Sequence, residues 1–204
     1  DVVVVGAGLA GLAAARSLAA AGLRPLVLEK QATVGGRVRT DVVDGFRLDH
    51  GFQLYNPAYP EGKRVFDYAG LDLRPFTRGA MVSLPSRNWL VADPRNEPRA
   101  MWQAIRSPIG SVSAKLRFAW YALARERLSA SEVIGQNDCT ALEALRAAGI
   151  DDELTDSMIR PFLSGVFLEP DLVTSRRFMD LVLRSFVRGT PSVPAQGMQA
   201  LPEQ

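Results

Sequence analysis

The chain opens with a run of β-branched residues, followed by a glycine-rich turn and an apolar helical stretch. Residues 2–5 are four valines, which predicts a strand buried on both faces of a parallel sheet. Residues 12–21 are rich in Ala and Leu and are followed by Gly22, which predicts a helix that ends at this glycine. Residues 26–28 are again apolar and predict a second short strand. This alternation is typical of an α/β fold.

A mainly helical pattern occupies residues 97–189. Thr140 and Glu143 have the spacing of a capping box at the start of one of its helices. Pro161 is expected to break a later helix, because proline lacks an amide hydrogen. Residues 112–128 show apolar side chains at three- and four-residue spacing, which predicts an amphipathic helix. Its apolar face is predicted to carry Leu116, Ala119, Trp120 and Leu123.

The turn after the first strand has the spacing G-x-G-x-x-G. Gly6 permits a tight turn, Gly8 leaves room for a pyrophosphate, and Gly11 lets the helix pack near the strand. The first helical turn offers backbone N–H groups and the positive end of the helix dipole to phosphate oxygens. Leu9 and Ala10 therefore join the three glycines as candidate binding residues.

An acidic residue stands where a dinucleotide site requires one. Glu29 follows the second strand and lies 23 residues after Gly6. A carboxylate in this position accepts hydrogen bonds from ribose hydroxyls, and it disfavours a 2′-phosphate. Lys30 follows directly and is included in the candidate site. Because strand, helix and acid all agree with the motif, we predict a dinucleotide site rather than a βαβ unit without a ligand.

The next motif brings a resemblance to a known family. Gly35 and Gly36 precede Arg37, and Thr40 follows three residues later. A guanidinium after a double glycine is suited to bind phosphate oxygens in pairs. With the glycine-rich turn and the acid, this stretch resembles the FAD-dependent superfamily of flavin amine oxidases, protoporphyrinogen oxidases and phytoene or carotenoid desaturases.

The resemblance implies the cofactor and further binding residues. It implies FAD, with Glu29 on the adenosine ribose and with Gly36 and Arg37 along the pyrophosphate. In the family, an Asp-x-Gly sequence leads the chain past the flavin ring, and Asp49 and Gly51 fit this pattern. The resemblance therefore suggests that four consecutive residues approach the isoalloxazine: Gly51, Phe52, Gln53 and Leu54.

The resemblance also implies the domain organisation. Residues 194–202 are similar to the family's P-x-G-G-M-x-x-L segment, except that Gln196 stands where a glycine is usual. We expect a Rossmann-like FAD-binding domain of the glutathione-reductase type in residues 1–76, with a return to it in residues 191–204. Residues 77–190 are expected to form a mostly helical substrate-binding insertion.

The implied reaction is hydride transfer from a substrate C–N or C–C bond to the flavin, as in amine oxidases. Alternatives are a desaturase or isomerase acting on a polyene, a non-enzymatic flavin-binding protein, and an NAD-dependent dehydrogenase. The expected substrate is a small amine or apolar molecule. No catalytic residue is assigned. His50 is the only histidine and is a candidate general base, although a structural role is favoured.

Composition excludes several other classes of protein. The net charge of +2 from 24 basic and 22 acidic residues gives no basic stripe for nucleic acid. Cys139 is the only cysteine, so no internal disulfide forms and a cytoplasmic location is expected. No apolar run reaches the roughly 20 residues that a membrane span requires, and no metal site is predicted.

The chain does not begin with methionine. We expect it to be a segment of a longer protein that binds FAD weakly and is inactive by itself. The oligomeric state stays open.

Overall fold

The computed structural model describes residues 1–51, 54–77, 79–85, 87–92 and 98–204. The chain divides into two compact units. The first unit comprises Asp1–Phe76 together with Pro191–Gln204, and the second comprises Thr77–Thr190. Each unit has its own hydrophobic core.

In chain order the elements are β1 (Val2–Val5), α1 (Leu9–Ala20), β2 (Pro25–Leu28), β3 (Thr40–Val43), β4 (Phe46–Asp49), α2 (Pro60–Val65), α3 (Tyr68–Leu71), β5 (Leu73–Pro75), β6 (Gly79–Leu84), β7 (Arg87–Ala92), α4 (Pro98–Arg106), α5 (Val112–Arg127), α6 (Ala130–Ile134), α7 (Ala141–Ala147), α8 (Asp152–Leu154), a π-helical turn (Thr155–Ile159), α9 (Arg160–Phe167), α10 (Arg176–Arg188), β8 (Ser192–Pro194) and α11 (Ala200–Glu203).

The first unit begins with a parallel strand pair joined by a helix. β1 pairs with β2 in a register that places Val2 opposite Pro25 and Val5 opposite Leu28. The prediction that β1 is buried on both faces is wrong for the described residues, because Val3 and Val5 are 57% and 84% exposed. Side chains on a strand point alternately to opposite faces, and only one face of β1 lies against packed residues here.

The return segment joins the first unit through strand pairing. β8 pairs antiparallel with β5, with Leu73 opposite Pro194. The return segment also contributes Met198 and Leu201 to the core of this unit, which includes Tyr55 and Leu71. β3 and β4 form an antiparallel hairpin. Their turn residues Asp44 and Gly45 both have positive φ, at 51° and 83°, as a type I′ turn requires.

In the second unit, helices and the β6–β7 hairpin surround a core that includes Ile109, Leu145, Leu163 and Met179. The predicted apolar face of α5 does not point into it. Leu116, Trp120 and Leu123 are 63%, 69% and 42% exposed, whereas Ala114 and Tyr121 are buried. The predicted apolar face of α5 therefore lies on the exposed side of the helix.

The helix expected to break near Pro161 continues as α9. A π-helical turn precedes it, over Thr155–Ile159, and Pro161 lies in the first turn of α9. A proline ring clashes with the carbonyl four residues earlier in a regular α-helix. The wider π-turn relieves this clash, so the chain stays helical.

Candidate cofactor site

The first glycine-rich turn connects β1 to α1. Gly6 has φ of +96°, and its N–H donates to Leu28 O on β2 at 2.7 Å. Gly8 is the N-cap of α1, and the first bond within the helix runs from Leu12 N to Gly8 O. The first-turn N–H groups, including those of Leu9 and Ala10, therefore have no carbonyl partner within the helix. Such groups, together with the helix dipole, favour an anion.

Gly11 brings α1 close to β1. A Cβ atom built on Gly11 would lie 1.9 Å from Gly6 O and 3.4 Å from Val4 Cγ1. No side chain fits at this distance from a backbone oxygen. The helix therefore begins directly beside the strand end, and its N-terminus faces the glycine-rich turn.

A second glycine turn lies against the first. Gly35 N donates to Ala7 O at 2.7 Å, and Gly8 and Gly35 form an isolated parallel bridge. A Cβ on Gly36 would lie 3.5 Å from Gly8 Cα. The predicted binding residues include Gly36 but not Gly35, although the double glycine is a signal for both. The two turns together form a surface of backbone without side chains, to which a diphosphate could come close.

Glu29 lies at the end of β2, next to the first turn. Its Oε1 accepts a hydrogen bond from Gln31 N at 2.8 Å, and its Oε2 accepts one from Ala7 N at 2.7 Å. The N–H groups of Gln31 and Ala7, with a smaller contribution from Lys30, hold the pKa of Glu29 below its usual value. The stability contributed by the ionised form is present above the ordinary pKa and is lost as pH falls through the lowered one. Each oxygen keeps acceptor capacity for a hydroxyl donor.

The Arg37 side chain is exposed, and it has no hydrogen-bond or ion-pair partner among the residues that the structure describes. Arg37 O lies 3.6 Å from the position of a Cβ on Gly51, so the second glycine turn and the start of the segment 51–54 are neighbours. Gly51 has φ of +70°, and Leu54 is half-buried. Phe52 and Gln53 lie outside the described residues.

Both ring nitrogens of His50 have partners. Nε2 lies 2.7 Å from Asp41 Oδ2, and Nδ1 lies 3.5 Å from Arg39 Nη2. A guanidinium only donates hydrogen bonds, so in this pair Nδ1 is the acceptor and Nε2 carries the proton directed at Asp41. The free lone pair that a general base requires is therefore engaged, which argues against a catalytic role.

The described part of the chain offers few other candidates for a reactive group, a metal site or a membrane span. Cys139 is a free, half-buried thiol. Within the described ranges there is no group of His, Cys, Asp and Glu side chains that could hold a metal ion. No described helix is both long enough and apolar enough to cross a bilayer.

Comparison with known proteins identifies the family. Residues 9–204 match the family model described as Flavin containing amine oxidoreductase. A 15-cis-phytoene desaturase from Narcissus pseudonarcissus is 29% identical over 182 residues, which cover 84% of this chain and 32% of the desaturase. A putrescine oxidase from Kocuria rosea is 50% identical over 72 residues, which cover 35% of this chain and 15% of the oxidase.

A solved structure supports the fold. Wild-type putrescine oxidase bound to putrescine is 23% identical with a TM-score of 0.67, and the match covers 100% of this chain and 47% of that one. The chain thus spans about a third of the curated desaturase it matches and under half of this oxidase. The predicted Rossmann-like α/β fold is confirmed, and so are the predicted superfamily and its flavin cofactor. The chain belongs to the flavin-containing amine oxidoreductase family, whose members are FAD-dependent oxidoreductases.

Proposed function

We propose that this protein oxidises a small substrate by taking a hydride from a C–N bond, with its first unit holding the FAD. One observation carries the cofactor part of this proposal: two glycine turns meet beside the N-terminus of α1, and the Glu29 carboxylate lies next to them. Two hydrogen bonds join these three parts. Gly35 N in the second glycine turn donates to Ala7 O in the first turn at 2.7 Å, and Ala7 N donates to Glu29 Oε2 at 2.7 Å.

Each part of this arrangement has a role in the proposal. Glu29, beside Lys30, accepts hydrogen bonds from the adenosine ribose. The N–H groups at the start of α1 bind the pyrophosphate, since Gly8 has no side chain to block it, while Gly6 makes the turn and Gly11 lets α1 pack on β1. The full set of proposed binding residues is Gly6, Gly8, Leu9, Ala10, Gly11, Glu29, Lys30, Gly36, Arg37, Gly51, Phe52, Gln53 and Leu54.

Arg37 is proposed to neutralise the charge of the pyrophosphate. It is exposed beside Gly36, and its guanidinium is not engaged by any described carboxylate, so it is available to bind two phosphate oxygens at once. The backbone of residues 51–54 is proposed to pass along the flavin ring. FAD, when bound, supplies the redox chemistry by accepting the hydride at N5, and the residues of this chain bind and orient it.

The second unit is proposed to hold the substrate. Its helices enclose a core of their own, as expected of a domain inserted into a cofactor-binding domain. An amine substrate is favoured by the putrescine oxidase relative, which has the higher local identity of 50%. A second candidate is desaturation of a polyene through a C–C bond. It is favoured by the phytoene desaturase relative, whose match extends over 84% of the chain.

The full-length protein tests this function. When a flavin is the redox centre, an absorption band at about 450 nm is expected, and anaerobic addition of substrate should bleach it. Bleaching by a diamine such as putrescine supports the amine reaction, whereas bleaching by phytoene in detergent supports the second candidate. If neither a range of amines nor polyenes bleaches the band, both proposals are wrong.

The cofactor site is tested separately with Glu29→Ala. We expect this variant to lose most of its bound FAD, because the ribose loses its acceptor. Glu61→Ala is the control, since Glu61 is an exposed acid of the same unit whose carboxylate pairs with Arg64 at 2.7 Å. Equal retention of FAD by Glu29→Ala and Glu61→Ala would contradict the proposed site.

A further inference from the structure

We infer that Gln199 is a positioning residue for the cofactor site, because it connects the return segment to the second glycine turn. This inference rests on the proposed function, since the turn that it fixes is the one proposed to lie along the pyrophosphate. Gln199 stands in the turn between β8 and α11 and is half-buried. Its backbone and its side chain are each tied to a different part of the first unit.

The backbone of Gln199 is anchored to the β3–β4 hairpin. Gln199 N donates to Thr40 Oγ1 at 2.9 Å, and the Thr40 hydroxyl in turn donates to Asp49 Oδ1. Met198 N donates to the same Asp49 oxygen at 2.8 Å. These bonds hold the return segment on residues that are about 150 positions earlier in the chain.

A glycine allows this close approach. A Cβ on Gly197 would lie 2.6 Å from Thr40 Oγ1 and 3.0 Å from Asp49 Oδ1. Gly197 also supplies the left-handed conformation of the turn, with φ of +87°. Gln196, at the position where relatives have glycine, is not among the residues with positive φ. Its exposed side chain instead accepts a hydrogen bond from Arg47.

The side chain of Gln199 reaches the second glycine turn. Its Nε2 donates to Val34 O at 3.1 Å, and the next residue, Gly35, donates to Ala7 O in the first glycine turn. Pro202 lies against the same turn, with its Cγ 2.9 Å from the position of a Cβ on Gly35. A continuous series of bonded residues therefore runs from the β3–β4 hairpin through Gln199 to the first turn.

The stability of the fold alone does not explain why position 199 carries an amide side chain. Its Oε1 is buried and has no hydrogen-bond partner among the described residues. Exchanging the two amide atoms would place Oε1 against Val34 O, so the observed orientation is the favourable one. A buried carbonyl oxygen without a donor is destabilising, and an apolar side chain of similar length would avoid it. The Nε2 bond that fixes the glycine turn is therefore what the amide contributes.

The test is Gln199→Met in the full-length protein, with two measurements. FAD titration of the apoprotein should show a Kd about tenfold higher than that of the wild type, as expected for one lost hydrogen bond that orients the site. The Tm of the apoprotein should change little, because removal of the unpaired Oε1 offsets the loss of the donor to Val34 O. Gln196→Met, the same substitution at the exposed glutamine three residues earlier, should leave the Kd at the wild-type value.

The outcomes separate the inference from the proposed function. A wild-type protein that binds no FAD overturns both. A wild-type protein that binds FAD, with an unchanged Kd in Gln199→Met, overturns only the positioning role. An equal rise in Kd for Gln196→Met and Gln199→Met also overturns it, since the effect would then not depend on the bond to Val34 O.

Discussion

At the scale of single residues, Gly11 is the position of the site with the least room for a side chain. A Cβ there would lie 1.9 Å from Gly6 O, a backbone atom that cannot rotate away. Gly165, inside helix α9, is the contrasting case, because a Cβ on it would meet no atom within 4 Å. Substitution by alanine is therefore expected to change stability in opposite directions at these two helical glycines.

We predict that Gly11→Ala lowers the free energy of unfolding of the full-length protein by about 1–3 kcal/mol, the usual range for overpacking. Gly165→Ala should raise it by about 0.5–1 kcal/mol, because alanine has the higher helix propensity. Urea denaturation followed by circular dichroism measures both. A Gly11→Ala variant as stable as Gly165→Ala would show that α1 does not pack as closely on β1 as described.

Some site residues were predictable from spacing and others were not. Glu29 and the glycines of the first turn follow from a local motif, because the turn, the helix start and the next strand end are close in sequence. The hydrogen bonds of Gln199 were not predictable, since its partners Thr40 and Val34 lie about 160 positions away. The partners of His50 are only 11 and 9 positions away, at Arg39 and Asp41, but the folded backbone of this segment is what brings them to its two ring nitrogens.

At the scale of elements, α5 shows why an apolar pattern can indicate the wrong face. Its inward residue Tyr121 donates to Asp180 Oδ1 on α10 at 2.7 Å. Asp180 is 1% exposed and also lies 3.4 Å from the guanidinium Nε atoms of Arg125 and Arg176. Burial, and next the bond to Asp180, raise the pKa of Tyr121. A polar network thus occupies the interface between the two helices, and hydrophobicity alone could not predict it.

We predict that Tyr121→Phe destabilises the full-length protein by about 1–3 kcal/mol, because it removes a donor from a buried carboxylate. Trp120→Phe, at the adjacent exposed position on the same helix, should change stability by no more than about 0.5 kcal/mol. Thermal unfolding of both variants provides the comparison. A larger loss in Trp120→Phe than in Tyr121→Phe would mean that α5 presents its other face to the core.

At the scale of the whole molecule, the described first unit leaves an apolar strand face uncovered. Val5 is 84% exposed, and Leu26 and Leu28 on β2 are 59% and 49% exposed. The chain spans only 32% of the phytoene desaturase and 47% of the putrescine oxidase structure that it matches. Exposed contiguous apolar surface of this kind marks an interaction face or an aggregation liability.

We therefore predict that a protein consisting of residues 1–204 alone binds FAD weakly and turns over no substrate. FAD titration and a turnover assay, run beside the full-length protein, measure this, and far-UV circular dichroism of the isolated chain establishes that its helices are formed. A stable yellow colour with turnover in the isolated chain would contradict the prediction.

The sequence by itself determined the local features of this protein: the glycine-rich turn, the acid after the second strand, the Thr140–Glu143 capping box and the strand and helix periods. Each depends on residues a few positions apart or on a motif of fixed spacing, so neighbouring residues are enough to specify it. Only the tertiary structure decided which face of α5 is buried and which residues hold the second glycine turn. These depend on hydrogen bonds and packing between segments far apart in sequence, whose partners become known only when the chain is folded.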